Sequence, residues 1–292
     1  MEASAPCSTS LPRPALSPDK FDEDRAFGGL RRLYGEQGYP CIRRACVAVV
    51  GVGGVGSWAV EALARSGVAR LVLIDLDHVS ESNLNRQLQA TVHTLGMAKV
   101  QALRERIATI HPNCEVVTVE DFVTPENWPM VLPSDVDAVI DACDQAAAKR
   151  AMAQWALRTR ALYVCVGAAG GKLQPQAVAV DDLSATTHDP LLAGLRQRLR
   201  REGAAPRQGR IGLRCVYSAE AVRAPVGWPS GAAEGAVGQE GASCEALSEG
   251  GGPSPAARDL SCHGYGSSVV VTATFGMTAA SECLQQLVQN SG

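Results

Sequence analysis

Four glycines, Gly51, Gly53, Gly54 and Gly56, stand in the hexapeptide GVGGVG, and polar residues follow at spacings suited to holding a nucleotide. A glycine turn between a strand and a helix bends tightly, lets backbone approach phosphate oxygens and packs the helix close to the strand. The helix start adds unpaired N–H groups and a partial positive charge. Asp75 follows where a carboxylate meets ribose hydroxyls in dinucleotide sites. Taken this far, the motif selects a nucleotide without saying which, and NAD is the default.

The stretch DLDHVSESNLNRQ, Asp75 to Gln87, adds what an NAD site does not need. Arg86 follows Asn83–Leu84–Asn85, Lys99 opens a helix, and DACDQ puts Asp144 just past a later strand. Arg and Lys neutralise phosphate oxygens, Asn donates hydrogen bonds, and Asp holds a hard cation, so the set suits a triphosphate with magnesium. Singly, each has a plainer reading: Arg86 a solvated surface charge, Lys99 a helix-face lysine, Asp144 a helix N-cap. Jointly, around one glycine turn, they favour ATP and Mg2+.

These residues need a scaffold that brings distant parts of the chain to one edge. ACVAVVG is a buried strand ending in glycine, SWAVEALARSG a helix stopped by glycine, and ARLVLIDLD a strand. MAKVQALRERIATIHP carries Val100, Leu103, Ile107 and Ile110 on one helical face. CEVVTVE and VDAVIDA read as strands, AAAKRAMAQWALRTR as a helix, and ALYVCVGAAGG as a strand running into glycines. This alternation predicts an α/β fold: a Rossmann-like, mostly parallel sheet with helices on both faces, extended by a C-terminal lobe. Beyond Gly171 the pattern loosens into a charged helix, PLLAGLRQRLRRE, a strand, IGLRCVYS, a Gly/Ala/Ser/Pro-rich stretch from Trp228 to Arg258 expected to be a mobile loop, and a closing helix, Ser267 to Val288. The uncharged run Gly264 to Ser281 is rich in Gly, Ser and Thr, which favours a buried helix over a membrane span.

The net charge of −3 excludes bulk attraction to nucleic acid, so any polyanion site must be a local patch. Arg196, Arg198, Arg200, Arg201, Arg207, Arg210 and Arg214 supply one candidate patch, against the alternative of a solvated helix face. Ten cysteines without any CxxC pair argue against a zinc knuckle; with no secretory leader they read as reduced cytosolic thiols, mostly buried. Cys215 and Cys262 are candidates for a covalent role, but nothing in the sequence pairs them with a base. Met1 to Asp24, broken by four prolines, reads as a disordered tail.

GVGGVGSWAVEALARSGV, LIDLDHVSESNLNRQ, GMAK and DACD, in this order, resemble the ubiquitin-activating-type adenylation superfamily that includes ThiF and MoeB. FGGLRRLYGEQG, VTPENW, GAAGGKLQP, DPLLAGLRQRLR and CVYSAEA resemble its branch of tRNA threonylcarbamoyladenosine dehydratases. The resemblance implies an ATP-binding adenylation domain over 25–176 and an extension over 177–292. It implies that Asp75 holds the ATP ribose, that Asn83, Arg86 and Lys99 contact phosphates, and that Asp144 binds magnesium. It also implies a homodimer in which Arg86 reaches the neighbouring subunit's ATP, and a substrate tRNA carrying threonylcarbamoyladenosine. Gln145 departs from the pattern, since relatives commonly carry Asn or Ser there. The alternatives are an adenylating activator of a ubiquitin-like sulfur carrier, which would share the ATP site, an NAD-dependent dehydrogenase and a non-catalytic nucleotide-binding scaffold. Neither the tRNAs used nor a sulfur-relay partner protein can be read from the sequence.

Overall fold

Short β-branched runs and amphipathic segments alternate along the chain, and in the computed structural model, which describes residues 21–224 and 265–290, they form one seven-stranded sheet between helices. The strands are β1 (Cys46–Val50), β2 (Arg70–Ile74), β3 (Glu115–Val119), β4 (Ala138–Asp141), β5 (Leu162–Val166), β6 (Val178–Asp182) and β7 (Arg214–Ser218). Their order is β3-β2-β1-β4-β5-β7-β6, and all neighbours run parallel except β6, which returns antiparallel to β7. The order reverses direction at β1, whose neighbours are β2 and β4. That is the switch point at which open α/β sheets leave a crevice for ligand. Register aligns Val50 with Ile74 and with Asp141, so the segments after β1, β2 and β4 emerge together.

The helices are α1 (Glu23–Arg44), α2 (Gly56–Arg65), α3 (Lys99–Ala108), α4 (Ala146–Thr159), α5 (Pro190–Arg201) and α6 (Val269–Gln289). Side chains of β1 alternate between two cores, as strand geometry requires. Val47 and Val49 join Ile42, Leu63, Leu103 and Phe275 on one face, while Ala48 and Val50 join Met152, Leu192 and Leu199 on the other. The closing helix α6 is a buried element of the first core, with Val271, Phe275 and Ala279 fully covered. No described helix is long and apolar enough to cross a membrane.

Two elements were not anticipated. Helix α1 begins at Glu23, inside the stretch expected to be a tail, with Asp22 capping it by accepting from Arg25 N. Strand β6 supplies the antiparallel edge. Strands from both sides of position 176 share the one sheet, so the extension continues the first fold. The expected tail through residue 20, the loop from Trp228 to Arg258, and Cys262 lie outside the described residues.

Candidate nucleotide-binding site

The glycine turn leaves β1 and enters α2. Gly51 has φ 78°, and a Cβ there would stand 2.9 Å from Cys143 Cα and N, so only glycine lets the turn touch the segment after β4. At Gly56 a Cβ would lie 1.9 Å from the Gly51 carbonyl oxygen, which makes this glycine obligatory for helix-on-turn packing. Val52 anchors the turn from both sides: its N–H donates to Asp75 Oδ2 at 2.8 Å, and its carbonyl accepts from Gln89 Nε2 at 3.0 Å. The N–H groups of Gly53, Gly54 and Gly56 find no acceptor among the described residues, and no side chain caps α2. Unpaired donors at a helix start are suited to anionic oxygens.

Asp75 sits behind this turn with both oxygens engaged, Oδ1 accepting from Asp77 N at 2.9 Å. Burial raises its carboxyl above the ordinary range, against the pull of Lys99 and of these backbone donors. Lys99 is buried, its Nζ 2.6 Å from Asp77 and 4.0 Å from Asp75, so two carboxylates balance its charge. Arg86 lays its aliphatic stem against Gly54 and donates Nη1 to the Ser82 carbonyl at 2.6 Å and to Asn85 Oδ1 at 2.9 Å. Its own carbonyl accepts from Trp58 Nε1 at 3.0 Å and from Thr272 Oγ1 at 3.3 Å, which ties the loop to α2 and α6. Asn83 is buried and closes a capping box with Ser80, its Oδ1 accepting from Ser80 N at 3.1 Å. It shapes the loop, and Asn85 instead reaches across to donate to the Ser267 carbonyl at 3.0 Å.

Asp144 is exposed between β4 and α4, one residue beyond the contact with Gly51. The N-cap position of α4 belongs to Gln145, whose side chain makes no capping bond, so Asp144 is not a helix cap. Among the described residues no three His, Cys, Asp or Glu side chains cluster to hold a metal. A single carboxylate fits Mg2+ bound with a nucleotide, because that ion takes one or two carboxylates and completes its shell from phosphates and water. The residues thus accommodate a triphosphate and magnesium: free backbone donors at the turn, two cationic side chains and one exposed carboxylate.

A buried ion pair with no signal in the sequence lies beneath Asp144. Asp141 and Lys149 stand 2.8 Å apart with both side chains fully buried, and Tyr163 Oη donates to Asp141 Oδ2 at 2.5 Å. Helix α6 was also missed as a support: Gly276 lets it pass so close to α2 that a Cβ would meet the Val55 carbonyl oxygen at 2.4 Å.

The seven arginines do not share one surface. Arg196 donates Nη1 to the carbonyls of Leu183 and Thr186, both at 3.0 Å, and Arg214 forms a two-point pair with Glu282 on α6. Arg200 bonds the Gly209 carbonyl, and Arg210, though exposed, lies 3.6 Å from Asp182; Arg198, Arg201 and Arg207 are also exposed, on the end of α5 and beyond it. Cys215 is fully buried in β7, and a hydrogen bond with Cys165, together with burial, pushes its thiol up, which is unsuited to a nucleophile.

Comparison with known proteins fits this geometry. The chain is 38% identical over 265 residues to the tRNA threonylcarbamoyladenosine dehydratase of Escherichia coli K12, covering 90% of this chain and 93% of that one. It is 35% identical over 270 residues to the dehydratase of Haemophilus influenzae, covering 91% and 94%. The crystal structure of the E. coli dehydratase in complex with ATP superposes with a TM-score of 0.76 at 36% identity, over 91% of this chain and 95% of that one. The model of the ThiF family matches residues 27–291, and the chain belongs to that family.

Proposed function

We propose that this chain is an ATP-dependent tRNA threonylcarbamoyladenosine dehydratase that acts with Mg2+ as a cytoplasmic homodimer. The observation that carries the activity is the extent of the likeness: it runs through both halves of the chain and nearly the whole of the E. coli dehydratase. A nucleotide-binding core shared with a sulfur-carrier activator would account for the first half alone.

The threonyl carboxylate of the modified nucleoside is a poor electrophile because its leaving group would be oxide. Attack of that carboxylate on the α-phosphate of ATP releases pyrophosphate and makes AMP the leaving group. The substrate's own carbamoyl group then closes on the activated carbonyl, AMP departs, and the net change is loss of water. An intramolecular attacker already has a high effective concentration, so the protein's task is positioning and charge. Gly53, Gly54 and Gly56 would offer backbone donors to the phosphates, and Asp75, buried behind the turn, would take the ribose. Lys99 exchanges Asp77 for phosphate oxygen, and Arg86 adds a second cation. Asp144 would hold Mg2+, which neutralises charge on the phosphates. Asn83 acts by shaping the loop.

Exposed Leu84 and Val92, with Val269 and Val270 at the start of α6, support the dimer. Asn85 ties that loop to the segment before α6, so a second copy seated there would cover Leu84, Val269 and Val270 close to the buried Arg86.

The test is to incubate the protein with ATP, Mg2+ and tRNA carrying threonylcarbamoyladenosine, and to weigh the digested nucleosides. Loss of one water, dependent on ATP, is expected. An unchanged nucleoside would overturn the reading.

A further inference from the structure

Lys149 sits on the first turn of α4, yet its ammonium lies between the ends of two strands. It is 2.8 Å from Asp141 Oδ1 and donates to the Val166 carbonyl at 3.0 Å, with the Asp141 carbonyl at 3.4 Å. One cation thereby joins the carboxyl ends of β4 and β5 to the helix that follows Asp144. The partner carboxylate is just as connected. Oδ1 of Asp141 accepts from the Cys143 N–H at 3.2 Å and from its thiol at 3.0 Å, while Oδ2 accepts from Tyr163. Burial holds the Cys143 thiol and the Tyr163 phenol well above their ordinary ranges, so both stay protonated donors. Burial would push the Lys149 ammonium down, but the charge of Asp141 more than reverses this and keeps it a cation.

A pair this deeply buried adds little net stability, because desolvation offsets the attraction, and apolar residues of like volume would hold a core as well. What the pair does that apolar residues could not is grip the backbone of a turn. The Cys143 N–H held by Asp141 belongs to the segment that touches Gly51, where a single added methyl would clash with Cys143 Cα.

We infer that the Asp141–Lys149 pair is a positioning device that fixes the Ala142–Asp144 turn against the glycine turn. It thereby sets where Asp144 presents its carboxylate to a divalent cation carried on the phosphates of ATP. The inference rests on the metal role proposed for Asp144. Asp141 and Lys149 are fully buried, so in this role they act only through the turn.

The experiment uses full-length protein with ATP and no tRNA, so that no carboxylate is present to react, and follows melting temperature as Mg2+ is titrated. In the double variant Asp141→Asn, Lys149→Met both buried charges are removed while volume and an acceptor for Tyr163 are kept. The double variant is expected to melt close to the wild type without ligand, and to bind metal-free ATP within about twofold of it, since Lys99 and the backbone donors of Gly53, Gly54 and Gly56 are unchanged. Its half-saturating Mg2+ concentration should rise about tenfold or more, the usual effect of removing a partner that orients a metal ligand. A double variant with wild-type melting and wild-type Mg2+ requirement would mean that the pair only fills the core, and the inference falls. Should the double variant not fold, Tyr163→Phe removes one donor and leaves the ion pair; a smaller rise in the same direction supports the inference, and no rise overturns it. Asp144→Asn, run in parallel, separates the two levels. If its Mg2+ requirement equals that of the wild type, the metal role of Asp144 fails and the inference with it. If Asp144→Asn shifts and the double variant does not, only the inference fails.

Discussion

Arg86 makes its contacts through two separate groups, its guanidinium and its carbonyl oxygen. The carbonyl holds Trp58 and Thr272, and so belongs to the scaffold. Among the described residues the guanidinium bonds only neighbours in its own loop, Ser82 and Asn85. Truncation to alanine therefore leaves the anchor in place. Arg86→Ala is expected to slow dehydration by roughly 10³-fold or more, the scale of an arginine acting on a reacting phosphate, with melting temperature near the wild type. Single-turnover conversion of modified tRNA, beside a melting curve, is the check, and conversion at the wild-type rate would leave Arg86, which is buried, only a part in shaping its loop. Other residues were harder to assign from sequence. Ser80 and Asn83 have capping-box spacing, but an asparagine three residues after a serine looks the same whether it caps or binds. Asp141 and Lys149 are eight positions apart on different elements, and only the strand-to-helix geometry brings them within 2.8 Å.

Elements with one dominant signal were legible: the β-branched runs of β1 and β2, and the glycine-stopped α2. Helix α1 was not, because Gly28, Gly29, Gly35 and Gly38 dilute its pattern and Gly35 interrupts it with φ 75°. Strand β6 was missed because it ends in Asp181 and Asp182, which look like a loop. Asp182 is in fact what ties β6 to the segment before β7. Burial alone would raise its carboxyl, but Ile211 N, Ser184 N and Oγ, and Gly212 N all donate to it and bring it from 3.8 to about 2. The folded value lies below the unfolded one, so this carboxylate stabilises the fold above the unfolded value, and the contribution is lost as pH falls from about 4 towards 2. Asp182→Asn should lower stability by about 2 kcal/mol at neutral pH, with the gap to wild type closing through that acid window. Buried Asp75 and Asp189 are shifted the other way, so the quantity to read is the difference between the two urea curves at each pH. A gap that persists unchanged at about pH 2 would assign the loss to packing instead of charge.

For the molecule as a whole, one end of the sheet carries the candidate nucleotide site, and the arginines between Arg196 and Arg214 lie elsewhere. Arg214 opens β7, which runs parallel to β5 and, through it, to β4 and β1, so it stands at the edge opposite the glycine turn, where Glu282 holds it. Arg210 is at that same edge, beside Asp182 at the end of antiparallel β6. Arg196 is tied to carbonyls of the segment after β6. By exposure alone, the arginines we propose to track a tRNA backbone are Arg198, Arg201 and Arg207, at the end of α5 and just beyond it. With a net charge of −3, non-local attraction cannot substitute for them. Changing these three to alanine should weaken tRNA binding and lower the slope of log affinity against log salt by about one for each phosphate that is no longer neutralised. ATP affinity should be unchanged, because Lys99, Arg86 and the glycine turn lie on other elements and bond to other residues. Salt titrations of tRNA binding for wild type and triple variant, each beside an ATP titration, decide the matter. Equal slopes would mean that the arginines only solvate a helix end and the tRNA docks elsewhere. A loss of ATP binding as well would mean that α5 props up the nucleotide site, and recognition and chemistry could not be divided between the two halves of the chain.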